Sequence, residues 1–136
     1  MSLASVSLVE TMLDHAIHAR WGPLHTVLAE DFAIVEPDSL PYGGSHHGVD
    51  GYRALMQAIG ALFELTFETV GCHAVGDHMV VLRLNVRFAS RSTGRQVRLP
   101  VVELFTLRAG RIARSEVFLF DTAALLATLG ADHGPP

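Results

Sequence analysis

The spacing of apolar residues divides the chain into two parts. In roughly the first sixty residues, apolar positions recur every three or four residues, which predicts helices. From Glu64 onward the spacing changes to two, which predicts strands over about 64–75, 78–90, 95–108 and 111–120. A helical part followed by an antiparallel series of strands is typical of an α+β fold.

Four helices are predicted around these strands. The first covers about the first twenty residues and ends at Trp21-Gly22, and Pro23 suits the first turn of a second, short helix. A third runs from about Val49 to Leu62. The last is capped at Asp121-Thr122 and ends near Leu129.

One further strand lies in the helical part. Residues Asp31 to Glu36 alternate between apolar and polar, and Pro37 ends the strand because proline has no backbone N–H to donate. The following stretch, 37–48, contains two prolines and three glycines and is therefore predicted to be a loop.

Two glutamates occupy positions that the alternation marks as interior. Because successive side chains in a strand point to opposite faces, Glu103 shares a face with five apolar residues, Val97, Leu99, Val101, Phe105 and Leu107. Glu36 likewise follows Phe32 and Ile34. Glu116 shares its alternation with Phe118 but also with Arg114, so its facing is less well defined.

An ionised carboxylate is costly to bury, so such a group is paired, protonated or placed at a cavity. Two interpretations follow. In the structural one, a strand bulges and the glutamates pair with Arg83, Arg87 or Arg98. In the functional one, the environment separates the two pKa values, and one carboxyl serves as base while the other donates a proton.

The composition of the chain limits the classes of binding partner that are expected. The chain has 136 residues, 49% of them hydrophobic and 18% charged, and a formal charge of −4, which argues against nucleic acids and anionic membranes as partners. No apolar run approaches transmembrane length, and a cytoplasmic location is expected. The chain is predicted to be one domain over 1–136, with an ordered core over about 5–130.

No cofactor is predicted, and neither is a metal site. The lone cysteine excludes an internal disulfide and a cysteine-based zinc site. Of the eight histidines, His15 and His18 lie three apart and His46-His47 are adjacent. Neither pair has a carboxylate or a third histidine at the spacing of zinc ligands.

Four segments carry a resemblance to known proteins: 31–37, 47–53, 101–105 and 110–112. They resemble the ketosteroid isomerases and SnoaL-like polyketide cyclases of the nuclear-transport-factor-2-like (NTF2-like) superfamily. The resemblance covers about residues 5 to 130. It implies a cone-shaped barrel made of a curved, mainly antiparallel sheet, with the N-terminal helices packed on its concave face. It further implies an apolar pocket for a small ligand, and a homodimer.

The resemblance also implies roles for individual residues. Glu36-Pro37 matches the isomerases' aspartate-proline pair, whose carboxylate moves the proton, and Glu103 matches their second, protonated aspartate. The tyrosine that donates a hydrogen bond from the first helix corresponds to Met12, which cannot donate one. His15, one turn further on, is a substitute donor, although a histidine on a helix surface is commonly solvated.

Other residues are expected at the ligand. Tyr42-Gly43-Gly44 is interpreted as a flap over the pocket or as an ordinary surface turn. His47 is expected at the pocket rim, and Trp21 in the core or the pocket wall. The full set of expected ligand contacts is Met12, His15, Trp21, Phe32, Tyr42, His47, Val101, Phe105, Glu116 and Phe118.

The first functional hypothesis is an isomerase or cyclase in which Glu36 and Glu103 transfer a proton on a small hydrophobic carbonyl compound. Two alternatives stay open. Epoxide hydrolases of this fold use an Asp-Arg-Asp network that has no evident counterpart here. A non-catalytic ligand-binding or dimerisation module is the other, since a fold does not determine a function.

Overall fold

The computed structural model describes residues 2–130, so residues 131–136, which lie beyond the predicted ordered core, fall outside this range. Within that range, three α-helices and one short 3₁₀ helix accompany six strands. In chain order these are α1 (Ser2–Ile17), the 3₁₀ helix (Gly22–Thr26), β1 (Leu28–Glu36), β2 (Gly44–His47), α2 (Gly48–Leu62), β3 (Phe63–Val75), β4 (Met79–Ser90), β5 (Gln96–Arg108), β6 (Arg111–Leu119) and α3 (Thr122–Leu129).

All six strands form one sheet in the order β2-β1-β6-β5-β4-β3. The last four strands form an antiparallel series, as the alternation predicts, whereas β1 pairs parallel with β6. The predicted α+β class is therefore confirmed. The sheet is mixed, and because β2 and β3 are free edges it does not close into a barrel.

The prediction of a loop over 37–48 is wrong at its end. Gly44–His47 is an edge strand that pairs antiparallel with β1, with Glu36 opposite Gly44. This strand is short and polar, so it lacks the hydrophobic alternation that identifies longer strands. The first helix also ends earlier than predicted, at Ile17, before Trp21-Gly22.

The helices cover the inner face of the sheet. Helix α1 packs mainly against β3 and β4, while α2 packs against β1 and β2. The core between them contains fully buried side chains from every layer, among them Val9, Met12, Phe32, Leu55 and Phe105. Each such side chain stabilises the fold by about 1.5–3 kcal/mol relative to leaving it in water.

Helix α3 packs against β4 and β5. Its start is fixed as predicted, because the Asp121 side chain accepts a hydrogen bond from the backbone N–H of Ala124 at 3.0 Å. Gly130 follows the helix at a positive φ of 85°, which favours glycine. No helix within residues 2–130 combines the length and the hydrophobicity needed to cross a membrane.

Candidate active site

A cavity of about 400 Å³ lies between the inner face of the sheet and the helices. Most of its lining is apolar: Leu13, Ala16, Ile17, Ile34, Met56, Ile59, Leu65, Phe67, Leu84, Val86, Phe88, Val101, Val117 and Leu119. The polar members of the lining are Glu10, Asp14, Glu36, Tyr42, Tyr52, Thr69 and Glu103. An apolar pocket with a few convergent polar groups is typical of a small-molecule site.

Three adjacent strands place the two glutamates. Glu36 ends β1, and its neighbour Val35 pairs with Glu116 on β6, so Glu36 reaches the level of Val117. Val117 pairs in turn with Glu103 on β5. The two glutamates therefore flank Val117, about 10 Å apart at Cα because each strand spacing is about 4.8 Å. At that separation both side chains reach one small ligand.

The environment keeps a proton on this pair. Glu36 is only 6% exposed, and Glu103 is half-buried. Within residues 2–130 neither carboxyl has a hydrogen bond or an ion pair. Burial, together with the charge of Glu103, raises the pKa of Glu36 to about 8. Burial also raises the pKa of Glu103 to about 7, so near neutral pH the pair is only partly ionised.

The structural interpretation of the glutamates is wrong, because the arginines lie on the outer face of the sheet. Arg98 forms an ion pair with Glu68 at 2.8 Å. Arg87 donates a hydrogen bond to the side-chain oxygen of Gln96 at 2.9 Å. Arg83 is exposed. No arginine is among the described residues that line the cavity.

Two buried tyrosines join the glutamates. Tyr42 and Tyr52 are 6% and 4% exposed and both line the cavity. Burial raises the pKa of both hydroxyls. The charge of Glu36 raises the pKa of Tyr42 further, and the charges of Glu103 and Glu36 raise the pKa of Tyr52 further. Both phenols therefore stay neutral and able to donate. They supply, from a loop and from α2, the kind of donor that Met12 cannot provide.

Tyr52 is held by two aromatic neighbours. The ring of Trp21 meets it edge-on with centroids 5.7 Å apart, and the ring of Phe32 lies at 6.0 Å. Such edge-to-face contacts restrict the orientation of a ring. Trp21 and Phe32 are not among the residues that line the cavity. They lie at the site only through Tyr52.

Tyr42 belongs to a tightly turned segment. The backbone N–H of Leu40 donates to the carbonyl of Pro37, and that of Gly43 donates to the carbonyl of Leu40. The ring nitrogen Nε2 of His46 lies 2.8 Å from the carbonyl oxygen of Tyr42. A Cβ on Gly43 would lie 2.4 Å from the Pro37 carbonyl oxygen, so only glycine fits. Within this segment Leu40 and Tyr42 are buried and Tyr42 lines the cavity, whereas Asp38, Ser39 and Pro41 are exposed.

Several expected ligand contacts lie elsewhere. Met12 and Phe105 are fully buried in the core and do not line the cavity. His15 accepts a hydrogen bond from the Nε of Arg20 at 3.1 Å on the outside of α1. His47 is exposed and precedes α2. Of the ten expected contacts, only Tyr42 and Val101 line the cavity.

The expectation for Glu116 and Phe118 is wrong because β6 shifts its register. The ladder between β5 and β6 is irregular between Thr106 and Leu107, so the alternation predicted from Ile112 does not continue. Beyond the shift the buried residues are Ser115 and Val117. Glu116 therefore faces outward, 3.8 Å from the Nε of Arg114, and Phe118 is 50% exposed. Both line a second hollow, which shares Glu36, Val117 and Leu119 with the cavity.

The cavity residues that sequence reasoning missed follow regular patterns. Leu84, Val86 and Phe88 alternate along β4, and the same rule that placed Glu103 finds them. On α1, Glu10, Leu13, Asp14 and Ile17 share one helical face, at the spacing of a single stripe. Within the described part of the chain, no cluster of three or more His, Cys, Asp or Glu is arranged to hold a metal ion.

Comparison with known proteins supports the fold and the family. Residues 9–115 match the SnoaL-like domain family. No curated protein matches the chain. An NTF2-like protein from Burkholderia xenovorans LB400 superposes with a TM-score of 0.84 at 22% identity, covering 96% of this chain and 98% of that one.

Two further solved structures are similar. One, from Jannaschia sp. CCS1 and provisionally described as a SnoaL-like polyketide cyclase, gives a TM-score of 0.79 at 19% identity over 99% of this chain and 95% of that one. Another, from Catenulispora acidiphila DSM 44928, has a ketosteroid isomerase-like fold and was solved with trimethylamine. It superposes with a TM-score of 0.66 at 18% identity, covering 81% of this chain and 83% of that one. The resemblance inferred from four short segments is thereby confirmed.

Proposed function

Because the chain belongs to the SnoaL-like domain family, we propose that it is a cofactor-free enzyme that moves a proton beside the carbonyl of a small apolar compound. The reaction is an isomerisation or an aldol-type cyclisation. One observation carries the proposal: two carboxyls and two phenols without protein partners converge on one otherwise apolar cavity.

The carboxyl pair supplies both halves of a proton transfer. With pKa values raised to about 8 and about 7, Glu36 and Glu103 share roughly one proton near neutral pH. The ionised carboxylate takes the proton from the carbon next to the carbonyl. The protonated carboxyl donates a hydrogen bond to the oxygen on which negative charge develops.

The phenols stabilise the same oxygen. Tyr42 and Tyr52 stay neutral and line a largely apolar cavity, in which a hydrogen bond to a developing anion is stronger than in water. Removing one such donor in other enzymes costs about 2.7–4 kcal/mol. The tyrosines thus take the role that the resemblance assigns to a tyrosine on the first helix.

The test is hydrogen–deuterium exchange beside the carbonyl of β-tetralone, a compact bicyclic ketone, followed by NMR. We expect the parent protein to accelerate exchange and both Glu36→Gln and Glu103→Gln to lose about 10²–10⁴-fold of that acceleration. Glu116→Gln, the same change on the outer face, serves as the matched control and should exchange like the parent. Equal exchange by parent and both cavity variants would contradict the proposal.

The same assay separates the alternatives. Binding of β-tetralone without any exchange would favour a non-catalytic ligand-binding module. Epoxide hydrolysis through an Asp-Arg-Asp network requires a cavity arginine, and the described lining contains none. The described lining therefore gives no support to that reaction.

We further propose that two copies of the chain pair through the outer face of the sheet. On this face Val102 pairs with Phe118, and Val81 pairs with Leu104. Phe118 is 50% exposed and Phe120 is 80% exposed. Exposed apolar side chains grouped on one face of a sheet, here with Arg83 and Glu116 beside them, are typical of an interaction site.

A further inference from the structure

The charged groups around the cavity are all of one sign. Among the described lining residues, four carry carboxyl groups, Glu10, Asp14, Glu36 and Glu103, and none is lysine, arginine or histidine. The inner end of the cavity contains buried polar side chains without protein partners in addition to these carboxyl groups. Glu36, Tyr42 and Tyr52 are each more than nine-tenths buried and line the cavity, and their side-chain oxygens have no hydrogen-bond partner within residues 2–130.

The mouth of the cavity lies between α1 and β3. The lining residues there are the exposed ones: Ile17 is 57% exposed, Phe67 45% and Leu65 38%. Glu10 and Asp14 are also exposed and belong to the same lining. The rim therefore combines an accessible aromatic ring on one side with two acidic side chains on the other.

Only one of these two rim acids is uncompensated. Asp14 is neutralised from outside the cavity, because Arg20 lies 2.5 Å and His18 3.3 Å from its carboxyl oxygens. Glu10 forms no ion pair within the described residues. The mouth thus has a net negative charge, and it is located on Glu10.

We propose that the substrate carries a protonated amine at the end opposite its carbonyl, and that Glu10 selects for it. The carbonyl reaches the inner carboxyls, a placement that rests on the proposed function. The ammonium group then lies at the mouth, between the Glu10 carboxylate and the exposed face of Phe67. A cation at the mouth keeps part of its hydration, whereas burying it deeper would require full desolvation.

Charge and shape act together in this arrangement. The apolar walls concentrate the negative field of Glu10 and of the partly ionised inner pair. A carboxylate at the same end of the ligand is repelled by the unpaired Glu10, and a hydroxyl gains neither attraction nor repulsion. From exposed ion pairs and cation–π contacts together, the expected preference for the cation over the neutral compound is about threefold to tenfold.

Three β-tetralones test the inference, alike except for an aminomethyl, a hydroxymethyl or a carboxyl group on the aromatic ring. Dissociation constants come from calorimetry and kcat/KM from deuterium exchange. The expected order of affinity is amine, then alcohol, then acid. Glu10→Gln should lower the amine's advantage over the alcohol by up to about fivefold, the part that the ion pair supplies, and should leave the part that the Phe67 ring supplies. Glu64→Gln removes the same charge from an exposed position outside the cavity lining, and should keep the advantage.

The outcomes distinguish this inference from the proposed function. Equal affinity for amine and alcohol, or an advantage that is undiminished in Glu10→Gln, overturns the inference while exchange of β-tetralone itself still supports proton transfer. Binding in the expected order without exchange supports the inference and overturns the catalytic role. Absence of binding by all three compounds overturns the inference.

Discussion

Two kinds of unpartnered polar side chain occur in the part of the chain that the structure describes, and they differ in what they face. Glu36 and the two tyrosines face the cavity, where a ligand can satisfy them. Ser115 is fully buried between β1 and β5, and its hydroxyl oxygen has no partner within the described residues. A group of the second kind lowers stability and gives nothing to the site.

Replacing Ser115 with alanine is therefore expected to raise the free energy of unfolding by about 1 kcal/mol, since folding then no longer removes an unpartnered hydroxyl from water. Urea unfolding measures the change. Ser90→Ala is the matched control, because the buried Ser90 hydroxyl has partners in Ser92 and the Thr93 N–H, and it should lower stability. A destabilised Ser115→Ala would mean that its hydroxyl has a partner.

Tyr52→Phe removes one hydroxyl and leaves the ring between Trp21 and Phe32. We expect β-tetralone exchange to fall by about 10²–10³-fold, with little change in melting temperature, because a donor to the developing oxyanion is lost while the packing remains. Trp21→Phe leaves the hydroxyl in place and should cost less. An unchanged exchange rate in Tyr52→Phe would remove the tyrosine from the mechanism.

At the scale of elements, the site depends on where segments meet. The strand pairings place Glu36 and Glu103 on either side of Val117, whereas Tyr42 depends on the turn between β1 and β2. That turn requires glycine at position 43, where a side chain would strike the Pro37 carbonyl.

Gly43→Ala is expected to destabilise the fold by about 1–3 kcal/mol, since backbone must move to relieve the clash. Exchange activity should fall further than the loss of folded protein explains, because Tyr42 moves with the turn. Thermal unfolding and β-tetralone exchange measure the two effects. Gly60→Ala is the control: this helical position has open space around it, and alanine there should stabilise the protein slightly. Parent-like activity in Gly43→Ala would show that the turn tolerates a side chain.

At the scale of the whole molecule, the buried pair makes stability depend on pH. The ordinary pKa of a glutamate is 4.5, and here the values rise to about 8 and about 7. Between about pH 4.5 and pH 8 the folded protein binds more protons than the unfolded chain. The free energy of unfolding is therefore highest below about pH 4.5, as far as this pair is concerned, and decreases as the pH rises toward 8.

Glu36→Gln and Glu103→Gln should each flatten this slope and raise the melting temperature at pH 8 relative to the parent. Calorimetric melting between pH 5 and 9, with Glu64→Gln as the exposed control, measures the effect. The same substitutions are expected to lower exchange by about 10²–10⁴-fold, so the ionisable pair lowers stability and raises reactivity. A slope that is unchanged in both variants would show that the carboxyls titrate normally.

The outer face of the sheet makes a prediction about assembly. Phe118→Asp places a charge in the middle of the apolar surface and should convert dimers to monomers without unfolding the chain, because Phe118 is already half exposed. Sedimentation velocity measures the mass. Val75→Asp, at the end of β3 and 53% exposed, is the control and should sediment like the parent. A parent protein that sediments as a monomer would contradict the homodimer.

The sequence by itself determined the α+β class, the lengths of β3 to β6 and the interior facing of Glu36 and Glu103. Each of these follows from local geometry, since alternate side chains in a strand must point to opposite faces. The ends of helix α3 have an equally local cause, because its N-cap Asp121 and its terminal Gly130 are adjacent to it in the chain.

Only the tertiary structure decided how these pieces meet. The register shift in β6 turned Glu116 outward, and pairing with β1 made a strand of a polar segment that has no hydrophobic pattern. Tyr42 and Tyr52 join Glu103 from positions about fifty residues or more away in the chain. Contacts of this kind depend on packing between elements that are distant in the chain, and local periodicity does not predict such packing. The carboxyls were therefore predictable one by one, and their phenolic partners were not.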